Sequence, residues 1–186
     1  TISVSSPVSV NEGSTAVTSV TVSDADGDSL TLSLAGTDSG AFSLNQTTGA
    51  ISFSSAPDFE NPADNDSNNE YLITVSVSDG TDSASESVVI NVSNVNEAPS
   101  ITAINSSSPE SGFNEVSVAE AQTSAFSVTA TDPDSDALSF TLYGADSGLF
   151  SVSSSGVVTF DSAPDYEAPT DSDGDGTYVV TVTVTD

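Results

Sequence analysis

Apolar residues alternate with serine and threonine at a period of two along most of the chain. Val20 and Val22, Leu30, Leu32 and Leu34, Ile51 and Phe53, Tyr71, Ile73, Val75 and Val77, and Val88, Ile90 and Val92 all follow this rule. Successive strand residues point to opposite faces, so the pattern predicts strands with one buried and one wetted side. The runs are rich in β-branched residues, with Gly, Pro, Asn and Asp in the gaps, and no stretch keeps a helical period. About seven short strands in each roughly 95 residues predict an antiparallel sandwich of immunoglobulin-like type.

The pattern is written twice. Glu12 recurs at Glu120, Asp24-Ala25-Asp26-Gly27-Asp28 at Asp132-Pro133-Asp134-Ser135-Asp136, and Asp38-Ser39-Gly40 at Asp146-Ser147-Gly148, all offset by 108. After a one-residue deletion before Gly156 the offset becomes 107, carrying Asp58-Phe59-Glu60 to Asp165-Tyr166-Glu167 and residues 71–79 to 178–186. Preserved spacing implies two tandem domains of one fold, residues 1–97 and 98–186. The second stops at Asp186, the counterpart of Asp79, so it is expected to lack its last strand, the equivalent of residues 83–93. An insert near residues 106–114 reads as a loop.

Charge narrows the function. The 186 residues carry 28 carboxylates and no Lys, Arg or His, a formal charge of -28. Phosphate backbones and anionic membrane surfaces are bound through Lys and Arg, so nucleic acid and membrane are excluded as partners. No run of about 18 apolar residues offers a membrane span. Without Cys, His or Lys there is no disulfide, thiolate, Schiff base or triad, and the chain is not expected to be an enzyme. A two-carboxylate hydrolase using Asp58 and Glu60 is formally possible, but both side chains fall on one side of an extended segment, which suits cation ligation better. Two like charges about 4 Å apart repel by about 4 kcal/mol at an effective dielectric of about 20. A fold that clusters carboxylates needs cations from solution, and hard oxygen donors select calcium.

The acids sit at strand ends and turns, in one recurring order. A single Asp there is usually a solvated turn residue, but the ordered set resembles the cadherin family, specifically the cadherin-like repeats of bacterial surface proteins. That family places a Glu after the first strand, a D-x-D after the second, a D-x-E before the sixth, an Asp at its end, and a D-x-N-D-N-A-P linker. The chain supplies Glu12, Asp24 with Asp26, Asp58 with Glu60, Asp79, and Asn94-Val95-Asn96-Glu97-Ala98-Pro99. It then supplies Glu120, Asp132 with Asp134, Asp165 with Glu167, and Asp186. The linker is one residue shorter than the family pattern, starts with Asn94, and has Glu97 where the family has Asp-Asn.

The resemblance implies Greek-key sandwiches and calcium ions between successive repeats. Glu12, Asp58 and Glu60 would come from the first repeat, Asn94, Asn96 and Glu97 from the linker, and Asp132, Asp134 and Asp186 from the second. The remaining members, Asp24, Asp26 and Asp79 at one end and Glu120, Asp165 and Glu167 at the other, imply further repeats on both sides in a longer protein. The shortened linker implies fewer than the three ions usual in the animal proteins.

A second kind of acidic run follows each D-x-E: Asp64-Asn65-Asp66-Ser67-Asn68, and Asp171-Ser172-Asp173-Gly174-Asp175-Gly176. Its start resembles an EF-hand loop, but position twelve from Asp171 is Val182 where that loop needs Glu, which leaves a smaller calcium loop or a solvated turn. The function expected is a calcium-binding structural and adhesion module of an extracellular surface protein, its ions stiffening the chain between neighbouring repeats. Its partners would be calcium, the adjoining repeats of the chain, and either other cadherin-like repeats or a polysaccharide. The alternative function is a calcium-dependent carbohydrate-binding module, for which Phe59, Phe113, Tyr143 and Tyr166 are the aromatic candidates, each more often a packing residue.

Overall fold

The computed structural model describes residues 1–105 and 114–186, so the expected insert lies, except for Asn114, outside the described residues. The chain divides into two compact units, Thr1–Val95 and Asn96–Asp186.

In the first unit the strands are β1 (Ile2–Ser3), β2 (Val8–Asn11), β3 (Ala16–Ser19), β4 (Thr21–Val22), β5 (Thr31–Ala35), β6 (Phe42–Leu44), β7 (Ala50–Phe53), β8 (Glu70–Ser78) and β9 (Ser83–Ser93). One sheet runs β2-β9-β8-β5, the other β3-β7-β6, and β1 pairs with β4. The sheets are antiparallel except where β2 joins β9 in parallel, Val8 opposite Ile90 and Val10 opposite Val92. Tyr71, Ile73, Val75 and Val77 of β8 and Val88, Ile90 and Val92 of β9 are buried, following the period of two read from the sequence. At the centre Phe42, Phe53 and Tyr71 pack with centroids 4.5 to 5.6 Å apart, Tyr71 edge-on to both rings. Edge-to-face packing at this range adds to the area term.

The second unit contains β10 (Ser100–Ile104), β11 (Ser124–Thr131), β12 (Ser139–Tyr143), β13 (Phe150–Val152), β14 (Val157–Phe160) and β15 (Thr181–Thr185). Its sheets run β10-β11-β14-β13 and β12-β15. Phe150, Phe160 and Tyr178 repeat the aromatic cluster, with centroids 4.4 to 6.0 Å apart. Among the described residues no strand answers to β9, and none answers to β2. In the first unit β2 hydrogen-bonds only to β9 in its sheet. Strand β15 (five residues) pairs with β12 and is shorter than the nine-residue β8.

One close approach is repeated in both units. Val20 donates its amide to Gly49 O at 2.9 Å, and Val128 to Gly156 O at 2.8 Å. Both glycines have positive φ, +71° and +79°, and a Cβ on either would stand 2.2 Å from the Val20 or Val128 carbonyl oxygen. Substitution meets backbone strain and a backbone clash together, so Gly49→Ala and Gly156→Ala should each cost at least about 2 kcal/mol. The open Gly80, with nothing within 4 Å, serves as the comparison for φ alone. Urea unfolding checks this, and equal losses at Gly49 and Gly80 would refute the role of the close approach.

Candidate metal centres

The Glu after β2 is fixed by the segments it was expected to join. Glu12 Oε2 accepts from the Phe59 amide at 2.8 Å and Oε1 from the Val95 amide at 2.7 Å. This holds the carboxylate between the D-x-E segment and the residue that follows Asn94. Ligand oxygens of Glu12 and Glu60 lie within 4.8 Å of each other. Asp58 accepts from the Asn61 amide at 2.9 Å and is exposed, as is Asn94. In the second unit, oxygens of Glu120, Asp165 and Glu167 all lie within 4.8 Å of one another. Here Glu120 Oε2 accepts from the Tyr166 amide at 3.1 Å and Asp165 Oδ1 from that of Glu167 at 3.0 Å. Two oxygens on one calcium are at most about 4.6–5.2 Å apart, a span within which these separations fall.

The D-x-D motifs fold back on their own amides. Asp24 Oδ1 accepts from Asp26 at 2.9 Å and Asp28 at 3.2 Å, and Asp132 Oδ1 from Asp136 at 3.1 Å. Asp132 Oδ2 is buried with no hydrogen-bond partner. In the second unit the linker meets this end. Asn96 Nδ2 donates to Asp186 at 2.6 Å, and the Glu97 amide to Asp134 Oδ2 at 2.8 Å. Asp79 Oδ1 takes the amides of Thr81 and Asp82, each at 2.7 Å. The amides of Asp28 and then Asp26 hold the Asp24 carboxyl below its ordinary value, against the nearby Asp79 charge. Those of Asp82 and Thr81 do the same for Asp79. Asp26 is exposed.

The two acidic loops are built alike. Asp64 is buried, and its Oδ2 accepts from the Asn68 amide at 2.8 Å. Asp171 is buried too, accepting from the Asp175 amide at 2.9 Å and the Gly176 amide at 3.2 Å. Ligand oxygens of Asp171, Asp173 and Asp175 lie within 4.8 Å of one another. Desolvation, then the adjacent Asp64 carboxylate, raises Asp66; the Asp171 side chain, then the Asp175 charge, raises Asp173. Burial pushes Asp64 and Asp171 up, but amides led by that of Asn68, and for Asp171 the Asp173 side chain and the Asp175 amide, leave both low.

Sequence reasoning missed the residues that hold these loops. Asp38 reads as a turn residue, and it does precede the short 3-10 turn Ser39–Ala41. Yet it is only 8% exposed, its Oδ1 accepting from the Asn65 amide at 2.9 Å and its Oδ2 from the Leu72 amide at 2.7 Å. Asp146 repeats the clamp on Ser172 and Val179, both at 2.7 Å. The hydroxyls of Tyr71 and Tyr178 accept the amides of Ala63 and Thr170, at 3.2 and 3.3 Å. The available signal was the recurrence of Asp38-Ser39-Gly40 at the common offset. Of the four aromatic candidates, Tyr143 and Tyr166 are 58% and 82% exposed. Phe59 is half-buried against the core, and Phe113 lies outside the described residues.

These paired sandwiches with acidic strand ends are of cadherin-like, immunoglobulin-type architecture. Residues 1–93 match the bacterial Ig domain family, to which the chain belongs. Chitinase A of Pseudoalteromonas piscicida is 32% identical over 142 residues, 75% of this chain but 15% of that protein. Human protocadherin-24 EC1-2 superposes with a TM-score of 0.61 at 17% identity, covering 100% of this chain and 95% of that one. Drosophila N-cadherin EC1-4 gives 0.60 at 20% identity, covering 98% and 44%. These likenesses are of fold.

Removing the Asp38 carboxylate strands two amides that it now satisfies. Asp38→Ala should cost about 3 kcal/mol, whereas Asp28→Ala on the surface should change stability by less than about 0.5 kcal/mol. Chemical denaturation of both variants checks this; equal losses would show that Asp38 is only a turn residue.

Acid should act through Asp24 and Asp79. Their folded-state pKa values lie below the 3.8 of an unperturbed carboxyl. The stability they contribute is therefore complete above that value and is lost as the pH falls through the lower folded value. In calcium-free buffer, Asp79→Asn should lose less stability than the parent between about pH 5 and about pH 2. Parallel acid limbs by circular dichroism would contradict it.

Proposed function

We propose that the chain is a non-catalytic structural module of an extracellular protein, in which calcium held by the ordered carboxylates where the repeats join stiffens the array and supports adhesion. The observation that carries this is the treatment of three successive residues. Val95 bonds Glu12, Asn96 bonds Asp186, and Glu97 bonds Asp134. Each carboxylate so engaged belongs to an ordered motif, and no Lys, Arg or His exists to neutralise any of them. The donor set of Glu12, Asp58, Glu60, Asn96, Glu97, Asp132, Asp134 and Asp186 is all oxygen, which suits calcium. The cadherin-like fold and the part-length similarity to a chitinase support an extracellular setting.

A second reading has one specific observation in its favour. Tyr166 is 82% exposed between Asp165 and Glu167, beside a three-carboxylate cluster, where a sugar ring could stack next to a bound ion. This is the calcium-dependent polysaccharide-binding module. Retention on an insoluble polysaccharide that depends on both calcium and Tyr166 would favour it.

Calcium at one hundred times its dissociation constant stabilises the folded state by about 2.7 kcal/mol per site. Millimolar calcium should raise the melting temperature, and EDTA should reverse the rise. Small-angle scattering should give a larger maximum dimension with the ion, and Glu12→Gln with Asp134→Asn should remove the change in dimension and reduce the rise in melting temperature. An unchanged melting temperature and dimension on adding EDTA would overturn the reading.

A further inference from the structure

We propose a second class of calcium site, lying within each repeat: Asp64, Asp66 and Asn68 in the first loop, and Asp171, Asp173 and Asp175 in the second. The sites go beyond the inter-repeat reading and use none of its residues.

The first observation is an unsatisfied buried oxygen. Asp64 is 7% exposed, and its Oδ1 is buried without any hydrogen-bond donor. A buried carboxylate oxygen left bare costs more than the roughly 1–3 kcal/mol of a neutral polar group, so native structures supply a partner. The chain has no cationic side chain to supply one. The second oxygen of this group is already taken by the Asn68 amide, and the Asp66 carboxylate stands beside it, so what faces Asp64 is another negative oxygen. A metal cation satisfies both.

The second observation comes independently from the other repeat, where three carboxylates converge within 4.8 Å. Both Asp171 oxygens accept amides there, which fixes the buried carboxylate while Asp173 and Asp175 stand exposed beside it. The third donor is also positioned the same way in each loop. Asn68 Oδ1 accepts from the Glu70 amide at 2.6 Å, and Asp175 Oδ1 from the Thr177 amide at 2.7 Å. Ser67 and Asn69 have φ of 58° and 64°, matched by Gly174 and Gly176 at 74° and 80°. Oxygen ligands at alternate positions around left-handed residues select a hard cation of flexible coordination, and affinity rises with ligand charge. The second loop, with three carboxylates against two and an amide, should bind more tightly.

The test uses the whole 186-residue chain, titrated with calcium by calorimetry after chelator treatment. The exposed ligands are replaced so that the fold is spared: Asp66→Asn in one protein, Asp173→Asn with Asp175→Asn in another, each checked by circular dichroism without metal. Each should bind one ion fewer than the parent, or bind it at least tenfold more weakly, while the response to Glu12→Gln with Asp134→Asn is additional and separate. If stoichiometry and affinity are unchanged in both loop proteins, the loop sites do not exist. If the loop variants lose ions but Glu12→Gln with Asp134→Asn loses none, the loop sites stand and the inter-repeat reading falls.

Discussion

Twenty-eight carboxylates with no cationic side chain set the terms for everything else in the molecule. Each acid must remain in water, take hydrogen bonds from neutral donors, or share a cation. The structure relies heavily on the second course. Backbone amides serve Glu12, Asp24, Asp38, Asp64, Asp79, Asp146 and Asp171. An amide hydrogen bond stabilises a carboxylate without cancelling its charge. Repulsion among oxygens within 4.8 Å, as at Glu120, Asp165 and Glu167, therefore remains after every amide has been used.

The apolar layer and the acidic ends are joined through a few side chains that belong to both. Tyr71 lies edge-on in the aromatic cluster, and its hydroxyl takes the Ala63 amide one residue before Asp64. Asp38 ties the next residue, Asn65, to Leu72 on β8. The loop is thus suspended from the core at two points on either side of its buried carboxylate. The same pair, Tyr178 and Asp146, performs this in the second unit, where β15 is shorter and the sheet smaller.

Much of the fold was legible because its signal is local. The buried residues of β8 and β9 follow the alternation from Tyr71 to Val92, and the acid motifs could be paired by spacing alone. The clamp was not legible, because the Asp38 partners stand 27 and 34 residues away and Asp-Ser-Gly has a sufficient local explanation as a turn. The absence of strand structure at 115–119 was not legible either, since that segment keeps some of the apolar alternation. Which aromatic candidate would be exposed was not legible for another reason: Phe59 packs against the core while its counterpart Tyr166 is exposed, and one aromatic replaced by another gives no sign of changed burial.

The same amides that fail to neutralise the charge make a cation easier to hold. A flexible carboxylate must lose rotamer freedom when it ligates, whereas one already bonded to two amides has lost it on folding. Asp171, pinned by Asp175 and Gly176, and Glu12, pinned by Phe59 and Val95, are in that condition before any ion arrives. Their like-charge neighbours would then favour a shared cation, because binding one relieves the repulsion. Rigid, mutually repelling oxygens are thus concentrated at the strand ends, where a shared cation would relieve them, while Phe42, Phe53 and Tyr71 pack ring against ring in the core of the first unit.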